Sequence, residues 1–184
     1  MSKIKIENAR ISFPSLFKKA VFEGIEGKYE ATFLINKQDD KTYKILMNAI
    51  NNLIKESKLK IPQDKICLKD GDYSSYDGYE NCWSLKSASL KRPLVLNRDK
   101  NVIYEEDEII YAGCYVNAII DFWVQNNKYG KRINSNLYGV QFVKDGEPFV
   151  KNDSDVTDEF SVIESKENSS PENSSLQYSD VSFP

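Results

Sequence analysis

The chain contains no histidine, which removes the side chain most often used near neutral pH as general base and as metal ligand. Cysteine is scarce. Cys67, Cys82 and Cys114 lie far apart, so neither a CxxC redox pair nor a zinc knuckle can be written, and an odd count without a secretory leader fits a reducing cytosol. The opening Met1-Ser2-Lys3-Ile4-Lys5-Ile6-Glu7 alternates charge with isoleucine and lacks the continuous apolar core of a signal peptide. No apolar run approaches the roughly 20 residues that a membrane span needs. These absences lead to the expectation of a soluble cytoplasmic protein with no membrane, cofactor or metal. Its 184 residues allow one well-buried domain and a tail, not two ordinary domains.

Aromatic residues are abundant: 11 Tyr, 9 Phe and 2 Trp favour a β-rich globular domain. Net charge is −3, which taken alone argues against an anionic ligand, but the charge is unevenly divided. Residues 153–184 hold eight acids and one base, so that segment carries −7. Residues 1–152 hold the other 24 bases and 20 acids and carry +4. A basic body with an acidic tail is the asymmetry expected of a protein that handles polyanions. The tail is rich in Ser, Asn, Glu and Pro, too polar to form a core, and is expected to be disordered. Its end, Gln177-Tyr178-Ser179-Asp180-Val181-Ser182-Phe183-Pro184, reads as a docking peptide in which Asp180 and Phe183 are the recognition residues.

The segment Tyr111–Val143 organises the body. Val116, Ala118, Ile120, Phe122 and Val124 alternate with Tyr115, Asn117, Ile119, Asp121 and Trp123, giving a strand with one apolar and one mixed aromatic face. A turn region at 125–132 and a second strand at 136–143 complete a long hairpin, whose tip carries Lys128, Tyr129, Lys131 and Arg132. Before it, residues 4–13 read as a strand with Ala9, Ile11 and Phe13 on one face and Arg10 and Ser12 on the other, ended by Pro14. Residues 28–35 read as a second strand. Tyr43, Leu46, Met47, Ile50, Leu53 and Ile54 then fall at helical spacing behind an Asp N-cap, giving one amphipathic helix to about Lys58. Residues 60–78 form an irregular crossing whose Asp70-Gly71-Asp72 start fails as a calcium loop, because Ser75 and Asn81 stand where Gly and Glu are needed. A strand from Tyr79 to Pro93 follows, then a short one at 94–96, an acidic loop at 105–108, and an Asp145-Gly146 hairpin signal with Pro148 placing a last strand on an edge.

Flat rings and fixed cations are what a single strand of nucleic acid requires, and Tyr79, Trp83, Lys86, Lys91 and Arg92 supply both. Trp83 serves a core as readily as a platform. The order of six motifs then becomes recognisable: Ala9–Pro14, Gly27–Ile35, Lys69–Asp72, Lys91–Pro93, Tyr111–Val116 and Gly139–Gly146. Together they resemble those of a bacteriophage OB-fold single-stranded-DNA-binding protein family, over about residues 9–163. The resemblance implies a mainly β fold, a five-stranded OB barrel with one amphipathic helix and extra hairpins, divided into a nucleic-acid-binding domain at 1–152 and an acidic flexible tail at 153–184. It implies sequence-tolerant binding of single-stranded DNA in phage replication, recombination or repair, in the host cytoplasm and without catalysis. Replication proteins such as a polymerase, helicase or primase are the implied tail partners, and a homodimer is compatible with the reading.

The expected cations are Arg10, Lys28, Lys86, Lys91, Arg92, Lys131 and Arg132. Tyr76, Tyr79, Trp83, Tyr115, Trp123 and Tyr129 are the expected stacking residues, with Tyr115 and Trp123 paired on the outward face of one strand. Two other readings stand beside this one. An assembly protein would self-associate through the long hairpin, and a metal-dependent nuclease would use Asp70, Asp72 and the acids near 106.

Overall fold

Alternating burial sorts the body into strands whose inner residues are almost wholly excluded from solvent. In the computed structural model, which describes residues 2–149 and 160–163, the elements in order are β1 (Ile4–Ser15), β2 (Val21–Phe22), β3 (Ile25–Glu26), β4 (Tyr29–Asn36), α1 (Asp40–Ser57), β5 (Leu68–Asp70), β6 (Cys82–Ser89), β7 (Leu94–Leu96), β8 (Tyr115–Asn127) and β9 (Gly130–Lys144). The main sheet runs β5-β6-β4-β1-β8-β9-β7, and β6 also pairs with β9. That extra pairing closes β1, β4, β6, β8 and β9 into a five-stranded barrel. All its neighbours are antiparallel except β6 and β9, which are parallel with Ala88 opposite Asn136. This is the Greek-key barrel of the OB fold.

Ile6, Ala9 and Ile11 of β1, Ala31, Phe33 and Ile35 of β4, Leu85 of β6, and Val116, Ala118, Ile120 and Phe122 of β8 fill the interior. The even residues of β8 therefore face inward, as their alternation predicts. Helix α1 begins where Asp39 accepts the Thr42 backbone N–H at 3.1 Å and stops at Lys58, which adopts φ +56°. Leu46 and Ile50 on its apolar stripe are fully buried in the common core, so the helix covers the barrel rather than standing free.

Five local expectations are corrected. Phe13 leaves the core face, because it takes φ +47° beside a bulge between Ser12 and Ser15. The extra residue rotates its ring outward, and it is 55% exposed. Pro14 does not end the pairing, since Ser15 still opposes Glu30. The strand expected from Tyr79 starts at Cys82, and the broad turn at 125–132 tightens to Lys128-Tyr129 between paired Asn127 and Gly130. Asp145-Gly146 makes no hairpin among the described residues. Instead the chain folds back: the Phe149 N–H donates to the Ala112 carbonyl at 3.1 Å, and Gly146 lies so close to the Gly113 carbonyl that a Cβ there would sit 2.1 Å from it.

Lys37, just after β4, ties the barrel to the crossing segment. Its Nζ lies 2.6 Å from Asp70 and 2.5 Å from Asp72 and 4.7 Å from the centre of the Trp83 ring. The Lys37 hydrogen bonds hold both carboxyls below the usual carboxylate range, and the two carboxylates raise the lysine.

Two predictions follow from packing and charge. Leu46→Ala should lower the unfolding free energy by about 2–5 kcal/mol, because it empties a fully buried site; a urea titration measures it, and a loss under 1 kcal/mol would place α1 outside the core. Because the folded-state carboxyls titrate lower than in the unfolded chain, the Lys37 cluster stabilises the fold above about pH 4 and loses that contribution as pH falls further. The raised lysine keeps its share until pH climbs past about 10.4. The gap in urea midpoint between wild type and Lys37→Met should therefore be widest between these limits and narrow towards pH 3; a gap independent of pH would remove the ion pairs as its cause.

Candidate nucleic-acid interface

OB barrels hold oligonucleotides on the outer face of their second and third strands, between the loop joining strands one and two and the hairpin joining strands four and five. Here those strands are β4 and β6. Thr32 stands opposite Lys86 and Leu34 opposite Ser84, and Lys69 of β5 extends the row beside Ser84. Lys69 and Lys86 are exposed, with Lys86 making a 3.3 Å ion pair to Glu30 on the same face. Leu34 is buried, so the open floor is formed by Thr32, Ser84, Lys69 and Lys86 and is narrow, polar and cationic.

One end of this face is bounded by the β1–β4 connection. Its β2–β3 hairpin turns through Glu23 and Gly24 at φ +50° and +76°, the pairing of positive angles that matches hairpin twist. It presents Val21, Phe22 and Ile25 at 67%, 77% and 72% exposure. Lys28, Lys91 and Arg92 are exposed at the same end, where β4 begins and β6 stops. The parallel register that sets Ala88 against Asn136 brings Gly130 level with the Cys82 start of β6. The β8–β9 tip, with Lys128, Tyr129, Lys131 and half-buried Arg132, therefore lies at the opposite end. Lys131 and Arg132 point to opposite sides of their strand, facing Asn126 and Gln125 respectively.

The β1 side of the face is aromatic. Phe13 and Tyr76, each 55% exposed, meet edge-on with ring centres 4.9 Å apart, and Tyr76 lies 5.4 Å from Tyr79. Tyr79 sits beneath them. It is 5% exposed, its hydroxyl donates to Ser12 Oγ at 2.9 Å, and burial pushes its phenol up. With no open ring face, Tyr79 supports the platform instead of forming it.

Other expected site residues are committed elsewhere. Trp83 shares the inner face with its partner Ile35 and stacks on Tyr43 of α1 at 4.4 Å and 17°; it belongs to the core end of the barrel. Arg10 is an internal clamp: its Nε donates to the Gly113 carbonyl at 3.1 Å, Nη2 donates to the Glu147 carbonyl, and the guanidinium lies 3.9 Å from the centre of the Phe149 ring. Tyr115 and Trp123 do share the outer face of β8, half-buried, but eight residues separate them by about 26 Å. Tyr115 is covered by Lys144, whose Nζ is 4.7 Å from the ring centre, and Trp123 faces Asn134. Their face is that of β8 and β9, not that of β4 and β6. The structure thus gathers Lys28, Tyr76, Lys86, Lys91 and Arg92 around one face with Tyr129 and Lys131 at its far end.

Phe13, Phe22 and Lys69 were not among the expected contacts. The pattern Val21-Phe22-Glu23-Gly24-Ile25, apolar residues around a turn dipeptide, is the signal that reveals the second. Phe13 carries none, since only the bulge exposes it.

Asp70 and Asp72 are both occupied by the Lys37 ammonium, so the carboxylates that a nuclease would need are already neutralised. Glu105 is paired with Lys18 at 3.1 Å, and the described residues hold no group of three or more metal-ligating side chains. Burial raises all three thiols, that of Cys67 to about 12, far from the range of a reactive thiolate. Asp180 and Phe183 lie outside the described residues. None of the described helices is long and apolar enough to cross a membrane.

Comparison with known proteins places the barrel in a family. A family described as Enterobacter phage Enc34, ssDNA-binding protein, matches residues 2–171. The single-stranded DNA-binding protein of bacteriophage Enc34, solved in complex with ssDNA, is 38% identical with a TM-score of 0.74, over 80% of this chain and 89% of that one. Protein p50 of Acyrthosiphon pisum secondary endosymbiont phage 1 is 36% identical over 159 residues, 80% of this chain and 86% of its own. The single-stranded DNA-binding protein gp2.5 of bacteriophage T7, at 12% identity and a TM-score of 0.57 over 87% and 95% of the two chains, shares the fold alone. Barrel topology, matched length and sequence identity converge, and the chain belongs to the Enc34 single-stranded-DNA-binding protein family of bacteriophages.

Proposed function

We propose that this protein binds single-stranded DNA along the β4–β6 face, without strong sequence preference, and protects and organises it during phage DNA replication, recombination or repair. The observation that carries the reading is the 38%-identical relative solved with ssDNA. The exposed rings of Phe13 and Tyr76 beside the Lys69 and Lys86 row support the same face here. Phosphates meet the cations, releasing counterions. Bases meet the rings, each stack contributing about 1–3 kcal/mol whatever the base. Lys28, Lys91 and Arg92 hold the strand at one end, and Tyr129 and Lys131 at the other, while Arg132 points to the other side of its strand. The acidic segment 153–184 competes with DNA for the cations and docks replication proteins through Asp180 and Phe183.

Binding to a dT oligomer should weaken steeply with salt, and Lys86→Ala should reduce the log–log salt slope by about 0.7, the loss of one phosphate contact on a single strand. Fluorescence anisotropy measures both; salt-independent binding would contradict the electrostatic mechanism, and no binding at all would leave the assembly reading in its place. In the same assay Tyr76→Ala should cost about 1–3 kcal/mol of affinity. Tyr79→Phe should leave affinity unchanged while lowering stability by about 1 kcal/mol, the worth of one hydrogen bond.

Deleting residues 153–184 removes seven net negative charges and should tighten DNA binding at low salt, with the difference fading at high salt as screening sets in. Weaker binding by the truncated chain would show that the tail is no competitor.

A further inference from the structure

The chain leaving β6 builds a second feature just past the end of the β4–β6 face. A cavity of about 270 Å³ opens between β7 and the segment that follows it, lined by Arg92, Pro93, Leu94, Val95, Val102, Ile103 and Tyr104. Its apolar wall is unusually open to solvent, since Leu94, Val102 and Tyr104 are 53%, 51% and 55% exposed. Arg92 stands at its rim with its guanidinium carbon 5.4 Å from the centre of the Phe17 ring and 5.9 Å from that of Tyr104.

The frame behind these residues is fixed. The Ile103 N–H donates to the Val95 carbonyl at 3.0 Å, and β7 is anchored in parallel on β9 with Leu94 opposite Gly139. The Tyr104 N–H donates to Asp107 Oδ2 at 2.7 Å, which holds the backbone that presents its ring. Beyond the rim, Lys18 reaches Glu105 at 3.1 Å, placing the start of the β1–β4 connection against the same corner.

An apolar, aromatic recess with one guanidinium at its lip complements a flat heteroaromatic ring carrying an anionic ester. Continuity supplies the occupant. Lys91 and Arg92 directly follow the strand that floors the interface, and Phe17 belongs to the connection that bounds it. A strand lying on β4–β6 and leaving past Lys28 has this recess in its path.

We propose that the recess is an additional nucleotide subsite, in which one base of a bound single strand packs on Tyr104, Leu94 and Val102 while Arg92 holds the adjoining phosphate. The inference rests on the single-strand-binding reading above and extends the footprint by a nucleotide beyond the β4–β6 face.

The test measures affinity of the full chain for dT oligomers of stepwise increasing length, for wild type, Tyr104→Ala, Arg92→Gln and, as a control at a tyrosine that does not line the recess, Tyr138→Ala. Thermal melting confirms that each variant folds. Wild-type affinity should rise by a step at the length that first reaches the recess. Tyr104→Ala should abolish that step, a loss of roughly 5- to 150-fold for longer oligomers, with shorter ones bound as before. Arg92→Gln should shrink the step, and Tyr138→Ala should leave it. Equal losses at every length, or none at any, would overturn the subsite. So would tighter binding of short oligomers by Tyr104→Ala, because that outcome assigns the recess to the chain's own acidic, aromatic tail. If wild type binds no oligomer of any length, the parent reading fails instead, which is a distinct result.

Discussion

The parallel seam between β6 and β9 is the constraint on which the rest depends. Only Ala88 and Asn136 form a paired register there, and the remaining gap is closed by β5, which pairs with β6 while Ile66 bridges in parallel to Ile133 of β9. Inside the seam Ser87 Oγ and Ser135 Oγ lie 2.6 Å apart, both buried. Two buried hydroxyls satisfy each other, which avoids the cost of about 1–3 kcal/mol for an unpaired one. Without this closure the sheet would stay open, ending on the β6 side at the short β5. The outward residues of β6 would have no fixed relation to the β8–β9 tip, and the polar floor and its two boundaries would not form a single face.

Aromatic residues are divided by what lies behind them. Trp83 and Tyr43 stack where α1 meets the barrel end, and the Lys37 ammonium rests on the same indole, so a large ring there fills the joint between helix and sheet. Tyr79 is drawn under the crossing segment by its hydrogen bond to Ser12. Gly71 allows this approach, since a Cβ at that position would sit 2.2 Å from the Tyr79 carbonyl and 2.6 Å from that of Cys82. The rings left over, Phe13 and Tyr76, are exposed because the places beneath them are already taken. Stacking capacity on this face is therefore a product of packing below it.

Much of this was legible in the residues. Strict alternation in β8 and the Asp39 cap gave a strand and the helix, because period and capping are local properties that tertiary packing did not override, while the barrel was implied only by the resemblance that the motif order carries. Phe13 was misplaced because a bulge shifts parity by one residue, and nothing in Ser12-Phe13-Pro14-Ser15 announces a positive φ at a phenylalanine. Trp83 could not be assigned from its own strand, since its side is decided by pairing with Ile35 and by a helix dozens of residues away. Arg10 looked like a free strand arginine, and its partners, the Gly113 and Glu147 carbonyls, are backbone groups distant in sequence. Composition identified the kinds of side chain a polyanion site needs; only topology could say which of them share a face.

Charge on the proposed face is arranged so that it can be exchanged. Lys86 is paired with Glu30 in an open setting, where an ion pair is worth only about 0–1 kcal/mol, so transferring the ammonium from carboxylate to phosphate costs little. Lys37 is the opposite case. Two carboxylates and an indole face hold it at once, and no single phosphate can replace that arrangement. Cations that recur along a strand-binding face need weak standing partners, because tight ones would have to be broken for every nucleotide admitted. The same logic explains how a chain of net charge −3 can present an attractive path to a polyanion: what steers the ligand is the local potential of exposed, loosely paired lysines, which decays within a Debye length of about 8 Å at physiological salt, and not the sum over a sequence whose acids are concentrated in residues 153–184.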